Sequence, residues 1–275
     1  MSKKIIAIMY DFDKTLCTKD MQEYTFIPNL GIDVGTFWNE ANKLRNVDKM
    51  DQVLTYMYLM KQKTEDKGYH LTKDYLYKMG EDIELFPGVT DWFNRINEYA
   101  KEKGVVIEHY IISSGVEEII KGSKIGKAFK KVFASTFYYD DKGHAVWPKL
   151  AINYTNKTQF LMRINKGILD VADDDSVNKK MDDEDKRIPF SNMIYIGDGL
   201  TDVPCMKLTK DGGGVSIAVY TDKSKEVATN LFNESRINYM ARADYREGGK
   251  IDTIVKKNID AMALRMQLDK LNKWG

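Results

Sequence analysis

The chain reads as an α/β protein, a doubly wound parallel sheet carrying an inserted helical domain. Two observations predict this. Five short apolar runs, each followed by a turn or helix, read as buried parallel strands: Ile5–Tyr10, Val105–Ile112, Val132–Thr136, Met193–Ile196 and Val215–Val219. Between the first two lies Asp20–Phe86, which holds no strand-like run and is rich in Met, Tyr and Leu at helical spacing.

Taken in order, the first run is only six residues long and ends at Asp11. It is far too short for a signal or membrane-spanning segment. The insertion follows, with Val53, Met57 and Met60 on one face and Leu54 and Tyr58 beside them. Pro87-Gly88 marks the return. These limits divide the chain into a core of 1–18 and 87–275 and a helical cap of 19–86. The clearest helix is Gly88–Lys103, where Val89, Trp92, Phe93, Ile96 and Ala100 repeat at helical spacing. Gly104 caps it, and the second strand begins at once. Leu169–Pro189 is crowded with acidic residues and reads as a solvated surface insertion, with a second cation site as the alternative. Ile251–Trp274 has helical periodicity and no polar constellation, as a packing helix should.

Composition narrows the function. Hydrophobic residues make up 43% and charged residues 30%, which excludes a disordered chain. Forty-two basic residues against 41 acidic ones leave a formal charge of +1, without the basic excess of a nucleic-acid binder. Cys17 and Cys205 cannot build a disulfide framework or a metal-ligand pair motif. With no apolar run of membrane length, the expected location is the cytoplasm.

The chemistry-bearing residues sit where strands end. The first run closes in Asp11-Phe12-Asp13-Lys14-Thr15. Ligands of open α/β sheets bind at the carboxyl ends of strands. There, one carboxylate can attack phosphorus while another, two residues on, protonates the leaving oxygen and then deprotonates water. The same residues also suit a plain turn. A second carboxylate group, Gly197-Asp198-Gly199-Leu200-Thr201-Asp202, follows the fourth run. Carboxylates from two neighbouring strand ends plus a phosphate oxygen would satisfy magnesium, and the glycines permit the tight turn. Ser113-Ser114-Gly115 closes the second run before helix-like Val116–Lys121, an arrangement fit for an anion. Lys157 opens the helix Thr158–Lys166, where its charge opposes the helix dipole and so calls for another reason, such as countering phosphate. Lys149 is the alternative lysine.

In these four motifs the chain resembles the haloacid dehalogenase superfamily from residue 5 to about 220. The resemblance implies a Rossmann-like core with the motif strands adjacent at the sheet centre. It implies Asp11 as nucleophile and magnesium ligand. Asp13 becomes the general acid/base and gives its backbone carbonyl to the metal. Ser113 and Lys157, with Ser114, Gly115 and Thr15, would bind phosphate, and Thr15 would also shape the nucleophile loop. Asp198 would ligate magnesium, with Asp202 and Gly199 in support. The helical insert resembles the cap of the phosphoserine phosphatase-like branch, and the second Asp marks phosphatases and mutases. The expected protein is therefore a magnesium-dependent phosphatase of a small phosphorylated metabolite. A phosphotransferase or mutase with the same aspartyl-phosphate chemistry is the alternative. Nucleic acid and membrane are not expected partners. Asp20 stands where that branch carries a Glu, nine residues after the nucleophile. It reads equally as a contact to an amine or hydroxylated leaving group and as the N-cap of the first cap helix.

Overall fold

The computed structural model describes residues 4–271; Asn272 to Trp274, at the end of the expected last helix, lie outside the described residues. Among the described residues seven strands form one sheet: β1 (Ile5–Tyr10), β2 (Val106–Val116), β3 (Lys131–Tyr139), β4 (Ala145–Leu150), β5 (Met193–Gly197), β6 (Val215–Tyr220) and β7 (Tyr239–Arg242). The order is β4-β3-β2-β1-β5-β6-β7, parallel except for the antiparallel β3–β4 hairpin. All five apolar runs are strands. The two additional ones are edges. β4 contains Pro148 and exposed Trp147, and β7 is four residues long. Half-exposed edge strands lack the continuous apolar run that marks a buried one. Val105 stays outside β2, which instead runs on through Ser113-Ser114-Gly115 with a register shift.

The helices are α1 (Phe26–Asn29), α2 (Val34–Val47), α3 (Gln52–Asp66), α4 (Lys73–Met79), α5 (Val89–Glu102), α6 (Glu117–Gly122), α7 (Thr158–Lys166), α8 (Asp174–Asn178), α9 (Val203–Asp211), α10 (Lys225–Asn233) and α11 (Lys250–Leu271). Alternation along β1 builds two apolar layers. Ile6, Ile8 and Tyr10 face Trp92 and Ile96 of α5 and Val255 and Ile259 of α11. Ala7 and Met9 face the side of Leu161 and Ile164 of α7 and Met206 of α9. β2, β5 and β6 alternate in the same way, so the middle of the sheet is buried on both faces.

The expected insertion carries α1–α4. Its two crossings run side by side: Thr18 N–H donates to Glu84 carbonyl oxygen (3.1 Å) and Phe86 N–H to Leu16 (3.0 Å). At the return, Gly88 has φ +81°, and a Cβ there would lie 2.5 Å from the Tyr245 carbonyl carbon. Further contacts hold the insertion far from these crossings. Lys73 N–H donates to Gly143 at the tip of the β3–β4 hairpin (3.0 Å). Helix α4 lies so close on α6 that a Cβ on Gly122 would stand 1.8 Å from Tyr77 carbonyl oxygen. In the acidic segment 169–189, buried Arg163 gathers the backbone oxygens of Asp170, Val171 and Asp173 and the Asp174 carboxylate. The carboxylates of Asp182 and Asp183 remain exposed.

Candidate active site

The register sets the site. Tyr10 pairs with Ile111 on β2 and with Ile196 on β5, so three strands finish at one edge. The chain leaves β1 at Asp11, whose N–H donates to Ile196 (3.0 Å), and turns at once. Lys14 takes φ +56°, and the N–H groups of Thr15, Leu16 and Cys17 all point at the Phe12 carbonyl. Phe12 is fully buried and anchors the loop, while Asp11 and Asp13 both line a cavity of about 440 Å³.

Lys157 is 1% exposed and lies between two carboxylates, donating to Asp11 Oδ1 (3.0 Å) and Asp202 Oδ1 (2.8 Å). Burial works against its charge, but Asp11 and then Asp202 outweigh it and hold the pKa above the ordinary lysine range. Burial pushes the Asp11 carboxyl up to about 6, Lys157 opposing the rise and Asp202 adding to it. Tyr195 of β5 donates to the same Asp202 Oδ1 (2.8 Å), whereas Asp202 Oδ2 is buried with no hydrogen-bond partner. Asp202 reaches that place because Gly197 has no Cβ; one there would fall 2.5 Å from Oδ2. Oxygens of Asp11, Asp198 and Asp202 all lie within 4.8 Å of one another. Burial, then Asp202 and Asp11, pushes Asp198 well above the usual carboxylate range. Three crowded carboxylates with one orphaned oxygen form a hard, all-oxygen donor set that fits a magnesium ion.

Asp13 faces differently. Its Oδ1 accepts from Met21 N–H (2.9 Å), and burial, then Asp20 and Asp11, raises its pKa well above the ordinary value. Ser113 is buried and lines the cavity, its Oγ accepting from Gly115 N–H (3.0 Å). Ser114, Gly115 and Gly199 line the cavity too. Thr15 does not line it: the residue is fully buried, with its hydroxyl oxygen unpartnered and its carbonyl accepting from Tyr245 (2.9 Å). Lys149 is exposed on β4, away from the lining. Asp20 stands at the N-cap of the short turn Met21–Glu23, but its side chain makes no capping bond; it accepts from Lys14 Nζ (2.5 Å) at the cavity wall.

Sequence reasoning passed over several residues of the cavity wall and one, Tyr195, buried behind it. Lys14 and Tyr195 lay inside recognised segments without a role. Asn153 offers a weak signal, four residues before Lys157. Its Oδ1 caps the turn through Thr155 and Asn156 N–H, and its Nδ2 donates to Asp51 Oδ2 of the insertion (2.7 Å). Gln22, Trp38 and Tyr56 carry no motif, and the tertiary fold alone brings them to the cavity.

The family model of the haloacid dehalogenase-like hydrolases matches residues 8–207, most of the chain. The chain belongs to the haloacid dehalogenase-like hydrolase family. A Borreliella burgdorferi protein described as uncharacterized is 28% identical over 284 residues, covering 94% of this chain and 97% of that one. Solved structures agree in fold. A HAD family hydrolase from Salmonella enterica serovar Typhi gives a TM-score of 0.60 at 19% identity, over 91% of this chain and 70% of that one. A phosphoserine phosphatase, solved as a phospho-aspartyl intermediate analogue, gives 0.54 at 14% identity, over 93% and 99%. Cytosolic 5'-nucleotidase IIIB bound to cytidine gives 0.52 at 13%, over 96% and 88%. The family's Rossmann-like core is the parallel sheet described above. Among the described residues of this family member, no helix is long and apolar enough to cross a membrane.

Proposed function

We propose that this hydrolase is a magnesium-dependent phosphatase of small phosphomonoesters working through an aspartyl-phosphate. The carrying observation is the placement of Asp11: at the end of the central strand, with Lys157 Nζ 3.0 Å away and Asp198 and Asp202 beside it. Asp11 attacks phosphorus, the bond to the leaving oxygen breaks, and an acyl phosphate forms. Asp13, whose environment favours the protonated form, gives its proton to the leaving oxygen and then takes one from the attacking water. Lys157, the Ser113 hydroxyl and the Ser114–Gly115 backbone hold phosphoryl oxygens. Asp11, Asp198 and the Asp13 backbone carbonyl would hold magnesium, which supplies charge neutralisation when bound. Asp202 positions Lys157. Thr15 supports the nucleophile loop from behind, and Gly199 keeps the metal turn open. In this reading 19–86 is a cap domain over a core of 1–18 and 87–275, and Asp20, paired with Lys14, faces the leaving group.

The test is hydrolysis of 4-nitrophenyl phosphate with and without magnesium, by wild type and by Asp11→Asn. Magnesium-dependent release of inorganic phosphate, lost in the variant, is expected. One phosphate released per ester consumed separates hydrolysis from transfer to a second hydroxyl. Turnover that survives chelation or the Asp11 substitution overturns the proposal.

A further inference from the structure

Beyond the residues assigned to the phosphoryl group, the cavity is walled by Gln22, Trp38, Asn42, Gln52 and Tyr56 of the insertion and by Tyr154. Both cations on this lining are already paired. Lys14 is paired with Asp20 at 2.5 Å, and Lys157 with Asp11 and Asp202 at 3.0 and 2.8 Å. A leaving group bearing a carboxylate finds no open cation and faces Asp13 and Asp20. An ammonium finds Asp20 occupied.

The aromatic wall is equally committed. Trp38 Nε1 donates to Glu23 Oε1 (2.8 Å), and the Tyr56 hydroxyl donates to the Ser114 carbonyl. Their rings stand edge to face, 6.4 Å apart at 74°. With both polar atoms in use, what these side chains offer a ligand is ring surface. Gln22 is the opposite case. It is only 2% exposed and lines the cavity, and among the described residues its side-chain amide makes no hydrogen bond. An amide that opens onto the cavity without a protein partner is free to exchange hydrogen bonds with a ligand there.

Resting on the phosphatase reading above, we infer that the leaving group is an uncharged polyhydroxylated ring, the sugar of a sugar phosphate or the nucleoside of a nucleotide. Its hydroxyl edge pairs with the Gln22 amide, and its face lies against Trp38 and Tyr56. Gln22 is then a specificity-determining residue. About 440 Å³ has room for a phosphate and such a ring, within the range of small-molecule sites.

The experiment compares kcat/KM for ribose 5-phosphate, uridine 5'-monophosphate, O-phosphoserine, phosphoethanolamine and 4-nitrophenyl phosphate, using the full chain with magnesium. One of the two ring esters is expected to exceed both O-phosphoserine and phosphoethanolamine by roughly tenfold or more. The sugar ester leading identifies a sugar site. The nucleotide leading identifies a nucleoside site, and Trp38→Leu should then lower the nucleotide most. Gln22→Leu and Gln22→Met should each lower the better ring ester about three- to tenfold further than 4-nitrophenyl phosphate. That ratio does not depend on how much of the variant is folded. A preference for O-phosphoserine or phosphoethanolamine, or equal loss on all esters in both Gln22 variants, overturns the inference. If 4-nitrophenyl phosphate is not turned over at all, the phosphatase reading fails. Calorimetric binding of the two ring esters to Asp11→Asn then still decides the inference: binding weakened by Gln22→Leu supports it, and binding indifferent to Gln22→Leu overturns it.

Discussion

Asp11 and Asp13 are two residues apart in one loop, yet their surroundings differ. Asp11 touches a buried ammonium, whereas Asp13 touches a backbone N–H and lies near two carboxylates. In the proposed roles, that contrast lets one attack while the other carries a proton. Asp13→Asn should slow turnover about 10²- to 10⁴-fold through lost proton transfer, with KM for 4-nitrophenyl phosphate changed much less. Steady-state kinetics on the purified variant reads both values; unchanged turnover would remove Asp13 from the chemistry. Gly197 gives a second test at this scale. Its Cβ would stand 2.5 Å from Asp202 Oδ2 and 2.9 Å from Asp202 Cβ, so Gly197→Ala must displace Asp202. The variant should lose roughly 1–3 kcal/mol in denaturant unfolding and most of its activity. A variant as stable and active as wild type would show that Asp202 moves without consequence.

Among the elements, one buried carboxylate of α11 reaches both α5 and the loop before α11. Asp252, 2% exposed, accepts from Arg95 Nε (3.1 Å), Gly248 N–H (3.0 Å) and Lys256 Nζ (3.0 Å). Burial pushes its carboxyl up, but Gly248, Lys256 and Arg95 together win and hold it below the ordinary 3.8. A folded pKa below the unfolded one means the stabilisation is present at neutral pH and is lost as pH falls through the folded value. Asp252→Asn should therefore cost about 2 kcal/mol at pH 7, from weakened bonds to charged partners. The gap in melting temperature between wild type and variant should close as pH drops below about 4. A gap that stays constant from pH 7 to pH 3 would show that the charge of Asp252 contributes nothing.

For the whole molecule, the fold gathers Asp11, Asp198 and Asp202 to within 4.8 Å from two separate strand ends, with Lys157, among the described residues, as the one cation paired with them. Like charges in a buried space oppose folding, and a divalent cation that binds only the folded chain relieves them. Millimolar magnesium should raise the melting temperature of wild type by several degrees, and Asp198→Asn should remove most of that rise. Scanning calorimetry with magnesium and with chelator measures it; an identical rise in the variant would place the ion elsewhere. The insertion adds to the same picture. It is joined to the sheet side at its two crossings, at Gly143 and at the α4–α6 contact, so its wall of the cavity is backed at several points.

The four motifs were legible because each pairs a chemical group with a local signal of strand end or helix start: Asp11 after an apolar run, Asp198 in a glycine turn, Lys157 against a helix dipole. The five buried strands were legible for the same reason, since burial on both faces demands continuous apolar sequence. The edges β4 and β7 were not, because a strand exposed on one side shares its composition with a loop. Local sequence likewise determined the Asp11–Asp13 spacing and the helical character of 20–86. Only the tertiary structure decided that Asp202 shares Lys157 with Asp11, that Asp20 is taken by Lys14, and that Gln22, Trp38 and Tyr56 meet above the carboxylates. Those contacts join residues as many as 146 positions apart in the chain, and no periodicity or motif carries information across such a distance. It is supplied by the register of β1 against β2 and β5, and by the packing of the insertion that the register leaves room for.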